Sequence, residues 1–175
     1  MQILLRPGIA LRQGTFSAVI APERIIISAL NTNPELSRFL FLYICGNYSR
    51  IISHIGRSSA GFEVRRPFTA DQLLAVIRDA GHTIIFIEHD ATIFDSAERL
   101  IEPVGSALIE AGREALVVLY SPAMDRSFAA LARRADRLIE IVNSGEPDQH
   151  SRPGGGQSGR RNPLCLPAQT TLEVR

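Results

Sequence analysis

Short runs of β-branched and other apolar residues alternate along this chain with segments whose apolar residues recur at helical spacing. The clearest run is 83–87 (TIIFI), and 116–120 (LVVLY) is a second one of the same kind. An unbroken apolar run of this length is typical of a strand buried on both faces of a parallel sheet. Alternation of such strands with helices therefore predicts a three-layer α/β/α fold with a mainly parallel sheet.

Signals for helix ends separate these runs. Thr69 with Gln72 three residues later predicts a capping box, and Gly81 predicts a left-handed stop for the same helix. For the following helix we expect Asp95 or Ser96 to act as the N-cap. Further strands are predicted at 15–21, 39–45 and 137–142, and short helices at 49–55 and after Asp125 or Ser127.

The secondary structure of residues 24–30 has two possible interpretations. The Ile25–Ile27 triplet favours a strand, whereas Pro22 at a helix start favours a helix.

The composition changes near Val142. Residues 1–143 carry nearly all the Ile, Leu and Val periodicity, so we expect them to form one core domain, which suits a chain of 175 residues. Residues 144–175 are rich in Gly, Pro and Arg, which is typical of a flexible C-terminal tail. Within that tail, 170–174 has the composition of a short strand.

Lysine is absent, so all 19 basic residues are arginine. This excludes every chemistry that needs a lysine amine, including the Walker A lysine and Schiff-base nucleophiles. The formal net charge of +1 lacks the basic excess of a nucleic-acid binder, so direct nucleic-acid binding is not expected. No apolar stretch is long enough to span a bilayer, and we expect a cytoplasmic protein without a membrane partner. Cys45 is expected to pack as a small core residue.

The densest group of ionisable residues is Glu88-His89-Asp90, directly after the 83–87 run. Open α/β sheets bind ligands at the carboxyl ends of their strands. One interpretation is a divalent-metal site with Glu88 and Asp90 as ligands, and the alternative is that these polar groups cap the next helix.

The order of these segments resembles that of the RecA-like ATPases, a family that includes recombinase paralogues and KaiC-like proteins. The resemblance covers about residues 11–142, and its motifs are LRQGTFSAVIAP at 11–22, FEVRRPFTADQL at 62–73, TIIFIEHD at 83–90, LVVLYSP at 116–122 and ARRADRLIEI at 132–141. It implies a P-loop-NTPase-type sheet, with 83–90 where the family has its Walker B strand. There the family expects aspartate to organise magnesium, and this chain has Glu88.

The family's phosphate loop is missing from this sequence. In place of GxxxxGK[ST] the chain has Ala21-Pro22-Glu23-Arg24, without glycine or lysine. Proline removes one amide donor, and glutamate places negative charge where a phosphate would bind. A degenerate Walker A motif of this kind predicts no nucleotide site and no cofactor, although the sequence leaves Mg²⁺ or ATP open.

These features predict a non-catalytic RecA-like protein, or pseudo-ATPase, that acts by protein–protein contact. Its expected partner is an active RecA-like ATPase, in DNA recombination, repair or signalling, or a second copy of itself. The arginines that could reach a neighbour's γ-phosphate are Arg99, Arg126, Arg133 and Arg134. Two alternatives are a small metal-dependent α/β enzyme using Glu88, His89 and Asp90, and an ATP binder with an unconventional phosphate loop.

Overall fold

A computed structural model of the protein describes residues 2–56 and 61–142. The strands are β1 Gln2–Arg6, β2 Ile9–Arg12, β3 Thr15–Ile20, β4 Phe41–Ile44, β5 Phe62–Arg65, β6 Ile84–Glu88, β7 Leu116–Ser121 and β8 Arg137–Glu140. The α-helices are α1 Glu23–Thr32, α2 Ala70–Arg78, α3 Ile101–Gly112 and α4 Arg126–Ala132. Short 3₁₀ helices lie at Pro34–Arg38, Ile52–His54, Ala91–Phe94 and Glu98–Leu100.

Six strands form one sheet in the order β5-β4-β6-β7-β3-β8, and every neighbouring pair in it is parallel. β1 and β2 form a separate antiparallel hairpin. One face of the sheet packs against α1 and the hairpin, and the other face packs against α2, α3 and α4. The predicted three-layer α/β/α fold with a mainly parallel sheet is therefore confirmed.

The central strands are buried on both faces. All six residues of β7 are buried, as are Ile84 to Ile87 of β6. Alternate side chains enter the two core layers, so that Phe86 contacts the α1 layer and Ile87 the α2–α4 layer. Each such side chain contributes about 1.5–3 kcal/mol to the stability of the fold.

Several predicted helix ends are confirmed. The Thr69 hydroxyl accepts from the Gln72 amide at 3.2 Å, and the Gln72 side chain accepts from the Phe68 amide at 2.8 Å. Asp125 caps α4 by accepting from the Phe128 amide at 2.8 Å.

Segment 24–30 is helical, within α1. The helix places Ile26, Ala29 and Leu30 on one buried face. That burial outweighs the modest preference of β-branched residues for strands.

Three local predictions are wrong. Asp95 and Ser96 do not cap α3, because the chain forms the 3₁₀ helix Glu98–Leu100 before α3 begins, and Leu100 is the residue at its N-cap. Gly81 is not a left-handed stop, since α2 ends with Asp79 at φ −87°, and the positive-φ glycines of the described chain are elsewhere. The helix predicted at 49–55 is only the 3₁₀ turn Ile52–His54.

The predicted tail 144–175 and its strand at 170–174 lie outside the described residues. Within the described ranges, no helix is both long and apolar enough to cross a membrane. Cys45 is 1% exposed and belongs to the core, as predicted.

Candidate functional site

The carboxyl ends of the parallel strands meet at one edge of the sheet, and the helices leave that edge in two directions. The helix that follows β3 packs on one face, and the helices that follow β6 and β7 pack on the other. A crevice at such a point of divergence is where open α/β sheets bind ligands. The residues at the ends of β3, β6 and β7 therefore form the candidate site.

The end of β3 passes into α1 through two residues, Ala21 and Pro22. The Tyr120 hydroxyl donates to the Ala21 carbonyl at 3.1 Å, and the Ala21 amide donates to the Ser121 carbonyl at 3.4 Å. Pro22 is the residue at the N-cap of α1 and has no amide hydrogen, and no side chain caps that helix. The space just beyond β3 and β7 is thus bridged by protein hydrogen bonds.

The first turn of α1 carries a negative charge. Glu23 begins the helix, where a carboxylate interacts favourably with the helix dipole. Its carboxylate lies 3.4 Å from the guanidinium of Arg50, an exposed residue that follows β4. A phosphate bound at this helix start would have to approach the Glu23 carboxylate.

Glu88, at the end of β6, accepts hydrogen bonds from one residue of β4 and from two residues that follow β4. Its Oε2 accepts hydrogen bonds from the Tyr43 hydroxyl, at 2.7 Å, and from the Ser49 hydroxyl. Its Oε1 accepts from the Arg50 amide at 3.2 Å. Ser49 Oγ also accepts from the Ile52 amide at 3.0 Å, so one network joins both strand ends and the 3₁₀ turn.

Burial keeps the tyrosine hydroxyls and the cysteine thiol near Glu88 protonated. It raises the pKa of the Tyr43 phenol far above its usual range, and the nearby Glu88 carboxylate raises it further. Burial likewise raises the pKa of Tyr120 and of the Cys45 thiol. Tyr43 therefore acts as a donor to Glu88 and not as a proton acceptor.

His89 forms a second polar cluster, on the opposite face of the sheet. Its side chain is 3% exposed, stacks against Phe94 and meets Phe128 edge-on, with ring centroids 6.1 and 5.5 Å apart. Its Nε2 lies 2.9 Å from Asp125 Oδ2 and 3.1 Å from Ser127 Oγ. Because a carboxylate can only accept, the contact with Asp125 places the proton of the neutral ring on Nε2.

The pKa values of this cluster favour a neutral imidazole beside an ionised carboxylate. Burial lowers the pKa of His89, and Asp125 opposes part of that shift. For Asp125 burial acts in the raising direction, but hydrogen bonds from the Phe128 amide and the Ser127 hydroxyl hold its pKa below the usual range. Ser127 donates to Asp125 at 2.7 Å, so its hydroxyl faces a carboxylate and not a free base. Through Asp125, which caps α4, the cluster fixes the start of that helix.

Asp90 forms its hydrogen bonds with other groups than Glu88 does. Its Oδ1 accepts from the amide and the hydroxyl of Thr92, at 3.0 and 2.6 Å, and so caps the 3₁₀ helix Ala91–Phe94. Its Oδ2 lies against Gly46, where a Cβ would overlap the carboxylate. Of the two interpretations of Glu88-His89-Asp90, metal binding or helix capping, the Asp90 side chain therefore fits helix capping.

Glu88 and Asp90 therefore contact different groups. Among the described residues, no group of three or more His, Cys, Asp and Glu side chains is placed to hold a metal ion. A cavity of about 10 Å³ lies beside Gly46, Glu88 and Asp90, which is room for roughly one water molecule. A metal bound by Glu88 and Asp90 remains a prediction from the sequence.

The four candidate arginines differ in their surroundings. Arg126 pairs with Glu98 at 3.0 Å, and Arg134 pairs with Glu102 and donates to Ser106 at 3.2 Å. Arg99 and Arg133 are exposed and form no ion pair with any other described residue. They are the two whose guanidinium groups are available to another molecule.

Sequence analysis did not identify the residues that contact Glu88, His89 and Asp90. Tyr43 lies within the predicted strand at 39–45, and Ser49 and Gly46 carried no signal beyond their place after that apolar run. The order of strands supplies what was missing, because β4 and β6 are neighbours and their ends must meet. Asp125 and Ser127 were recognised as cap candidates, but their contact with His89 across 36 and 38 residues has no local sequence signal.

The chain is similar to known proteins of archaea. No family model matches the chain. An uncharacterized protein of Archaeoglobus fulgidus is 39% identical over 129 residues, which is 73% of this chain and 65% of that protein. The chain thus spans less than two thirds of that relative's length. A KaiC-like protein of Pyrococcus horikoshii has a crystal structure that aligns with a TM-score of 0.47 at 9% identity, over 78% of this chain and 76% of that one.

Proposed function

We propose that this chain is a RecA-like domain that acts by contact, as a regulatory or scaffolding partner of an active RecA-like ATPase, and does not turn over nucleotide. The observation that carries the proposal is the two-residue connection between β3 and α1. A Walker A loop supplies several backbone amides and a lysine to the phosphates. Here the connection offers one amide, already directed at Ser121, followed by a proline and a glutamate.

The Glu88 network supports the same proposal. In an active enzyme of the resembling family, the carboxylate at this position organises magnesium. The Glu88 carboxylate instead accepts three hydrogen bonds from Tyr43, Ser49 and Arg50. Each of these bonds to a charged acceptor contributes about 1.5–3 kcal/mol and would have to be given up or rearranged to admit a hydrated cation.

The isolated chain provides the first test. Titration of the full chain with Mg-ATP in a calorimeter should give no saturable heat up to about 1 mM, which corresponds to a binding free energy weaker than roughly −4 kcal/mol. Saturable binding below that concentration, with hydrolysis that stops on Glu88→Gln substitution, would contradict the proposal and favour the ATP binder with an unconventional loop.

The exposed arginines provide a test of whether contact with this chain stimulates a partner ATPase through an arginine. In a complex with an active ATPase, an arginine directed at the neighbour's γ-phosphate contributes about 10³–10⁵ to the rate. We expect Arg99→Ala or Arg133→Ala to abolish any stimulation of the partner, with Arg78→Ala, an exposed arginine at the end of α2, as the matched control. Stimulation by the Arg99 and Arg133 variants equal to that by the unaltered chain would rule out a contribution from these two arginines.

The metal-dependent enzyme has a separate test. Equilibrium dialysis of the full chain against Mn²⁺ would detect a site that uses Glu88 and Asp90. Saturable Mn²⁺ binding that is lost in both Glu88→Ala and Asp90→Ala would favour that enzyme. Unchanged binding in the double variant would exclude these two residues as ligands.

A further inference from the structure

β5 forms one edge of the six-stranded sheet. It pairs with β4 on one side, and within the described chain no strand lies on its other side. The strand reads Phe62-Glu63-Val64-Arg65, and its last two residues are exposed. An unpaired edge of this kind is a template for another strand.

Hydrogen bonds to β4 define which peptide groups of β5 point outward. The Phe41 amide donates to the Gly61 carbonyl at 2.8 Å, and the Cys45 amide donates to the Arg65 carbonyl at 3.2 Å. Successive residues of a strand direct their peptide groups to opposite sides. Since Gly61 and Arg65 face β4, the N–H and C=O of Val64 face away from the sheet.

The charges of β5 are self-complementary in an antiparallel arrangement. If Val64 lies opposite Val64 of the partner subunit, the two residues exchange both hydrogen bonds, and Glu63 faces Arg65 of the partner subunit. The two-fold axis repeats that contact, so two opposite-charge pairs form.

The neighbouring registers are disfavoured by the same charges. A shift of two residues in one direction places Glu63 opposite Glu63 of the partner subunit. A shift of two in the other direction places Arg65 opposite Arg65 of the partner subunit. Like charges directly opposite one another destabilise a strand pair, so the sequence selects the register centred on Val64.

The side chains that would form these contacts are accessible. Val64 is 37% exposed, and the side chains of Glu63 and Arg65 are 39% and 53% exposed. Glu63 and Arg65 already pair within the chain, and Glu63 also lies 3.1 Å from His82. Leu40, next to the start of β5 at Gly61, adds an exposed apolar side chain at this edge.

We propose that two copies of this chain associate through antiparallel pairing of their β5 strands, centred on Val64, to form one continuous sheet. The inference goes beyond the proposed partner role and does not depend on it. The pairing supplies main-chain hydrogen bonds in the manner of β-strand addition, and the Glu63–Arg65 contacts select the register.

Charge reversal tests the register. Sedimentation of the full chain from about 10 to 500 µM should show a monomer–dimer equilibrium in the micromolar range. Glu63→Arg and Arg65→Glu should each weaken self-association by about tenfold or more, because each places like charges opposite one another. An equimolar mixture of the two variants should restore the dimer, since every facing pair is then opposite in charge. Glu98→Arg, which reverses one partner of an exposed ion pair in another part of the described chain, is the matched control.

Val64→Pro tests the main-chain hydrogen bonds. Proline is tolerated in an edge strand where its nitrogen faces solvent, so we expect an unchanged circular dichroism spectrum together with loss of the dimer. A wild-type chain that stays monomeric over the whole range would overturn the proposal, as would a variant mixture that fails to associate. Both readouts use this chain alone, so they are independent of whether an ATPase partner is found.

Discussion

At the scale of single residues, Gly46 and Asp90 hold the ends of β4 and β6 together through a close approach. Gly46 is buried, and the Asp90 carboxylate occupies the space that a Cβ would need. The same carboxylate caps the Ala91–Phe94 turn through Thr92. A methyl group at residue 46 would therefore displace the cap.

We predict that Gly46→Ala lowers the free energy of unfolding by about 1–3 kcal/mol, as expected for overpacking at a buried position. Asp90→Ala should cost about 1 kcal/mol through loss of the cap. In the Asp90→Ala background the Gly46→Ala change should cost far less, because the overlapping carboxylate is gone. Urea denaturation of the four proteins of this cycle measures the coupling, and additive effects would show that the two residues do not interact.

His89 makes the stability of the fold depend on pH. Burial lowers its pKa in the folded chain below the ordinary value of 6.5. The unfolded chain then binds more protons than the folded chain below pH 6.5, so the free energy of unfolding falls as the pH falls through that value. The charges that face the ring are those of Asp125 and Asp90.

We predict that His89→Gln, whose amide can still donate to Asp125, flattens this dependence between about pH 7 and pH 5. His54→Gln, at an exposed histidine, is the control and should keep the wild-type slope. Chemical denaturation at a series of pH values gives the slopes. An unchanged slope in the His89 variant would contradict this assignment.

At the scale of elements, the Glu88 network fixes the end of β6 against β4. Tyr43 reaches Glu88 from the neighbouring strand. Tyr120, in β7, donates instead to a neutral carbonyl, that of Ala21. The two buried tyrosines thus form a matched pair that differs in the charge of the acceptor.

We predict that Tyr43→Phe costs about 1.5–3 kcal/mol of stability and Tyr120→Phe about 0.5–1.5 kcal/mol, because hydrogen bonds to charged groups are stronger. Thermal and urea unfolding of both variants measures the difference. Equal costs would contradict the claim that the charge of the Glu88 acceptor strengthens the Tyr43 hydrogen bond.

The elements that could be predicted from the sequence are those with a strong periodic pattern. β6, β7 and the start of α2 follow directly from apolar runs and a capping box. β5 has only four residues, two of them charged, and gives no apolar run. The hairpin formed by β1 and β2 was also missed, although Pro7-Gly8 between two apolar stretches is a turn signal, with Gly8 at φ +84°.

The candidate site was predictable only in part, for a physical reason. Glu88, His89 and Asp90 are adjacent in sequence, but each side chain bonds to a different set of partners, so proximity along the chain did not mean one shared network. Their partners come from other strands, and the order of strands is set by packing of whole layers and not by local propensity.

At the scale of the whole molecule, the sheet divides the chain into two core layers, and the ends of β3, β6 and β7 are closed by internal hydrogen bonds. What remains accessible is the outer surface, including the exposed arginines and the edge of β5. This surface is where the proposed contact with another molecule would form.

The measurement that tests the proposed partner role most directly is native mass spectrometry of the tagged full chain, purified gently from its own cells. We expect a complex that contains a RecA-like ATPase. Recovery of the chain without such an ATPase, as a monomer or only with copies of itself, would contradict the proposed partner role.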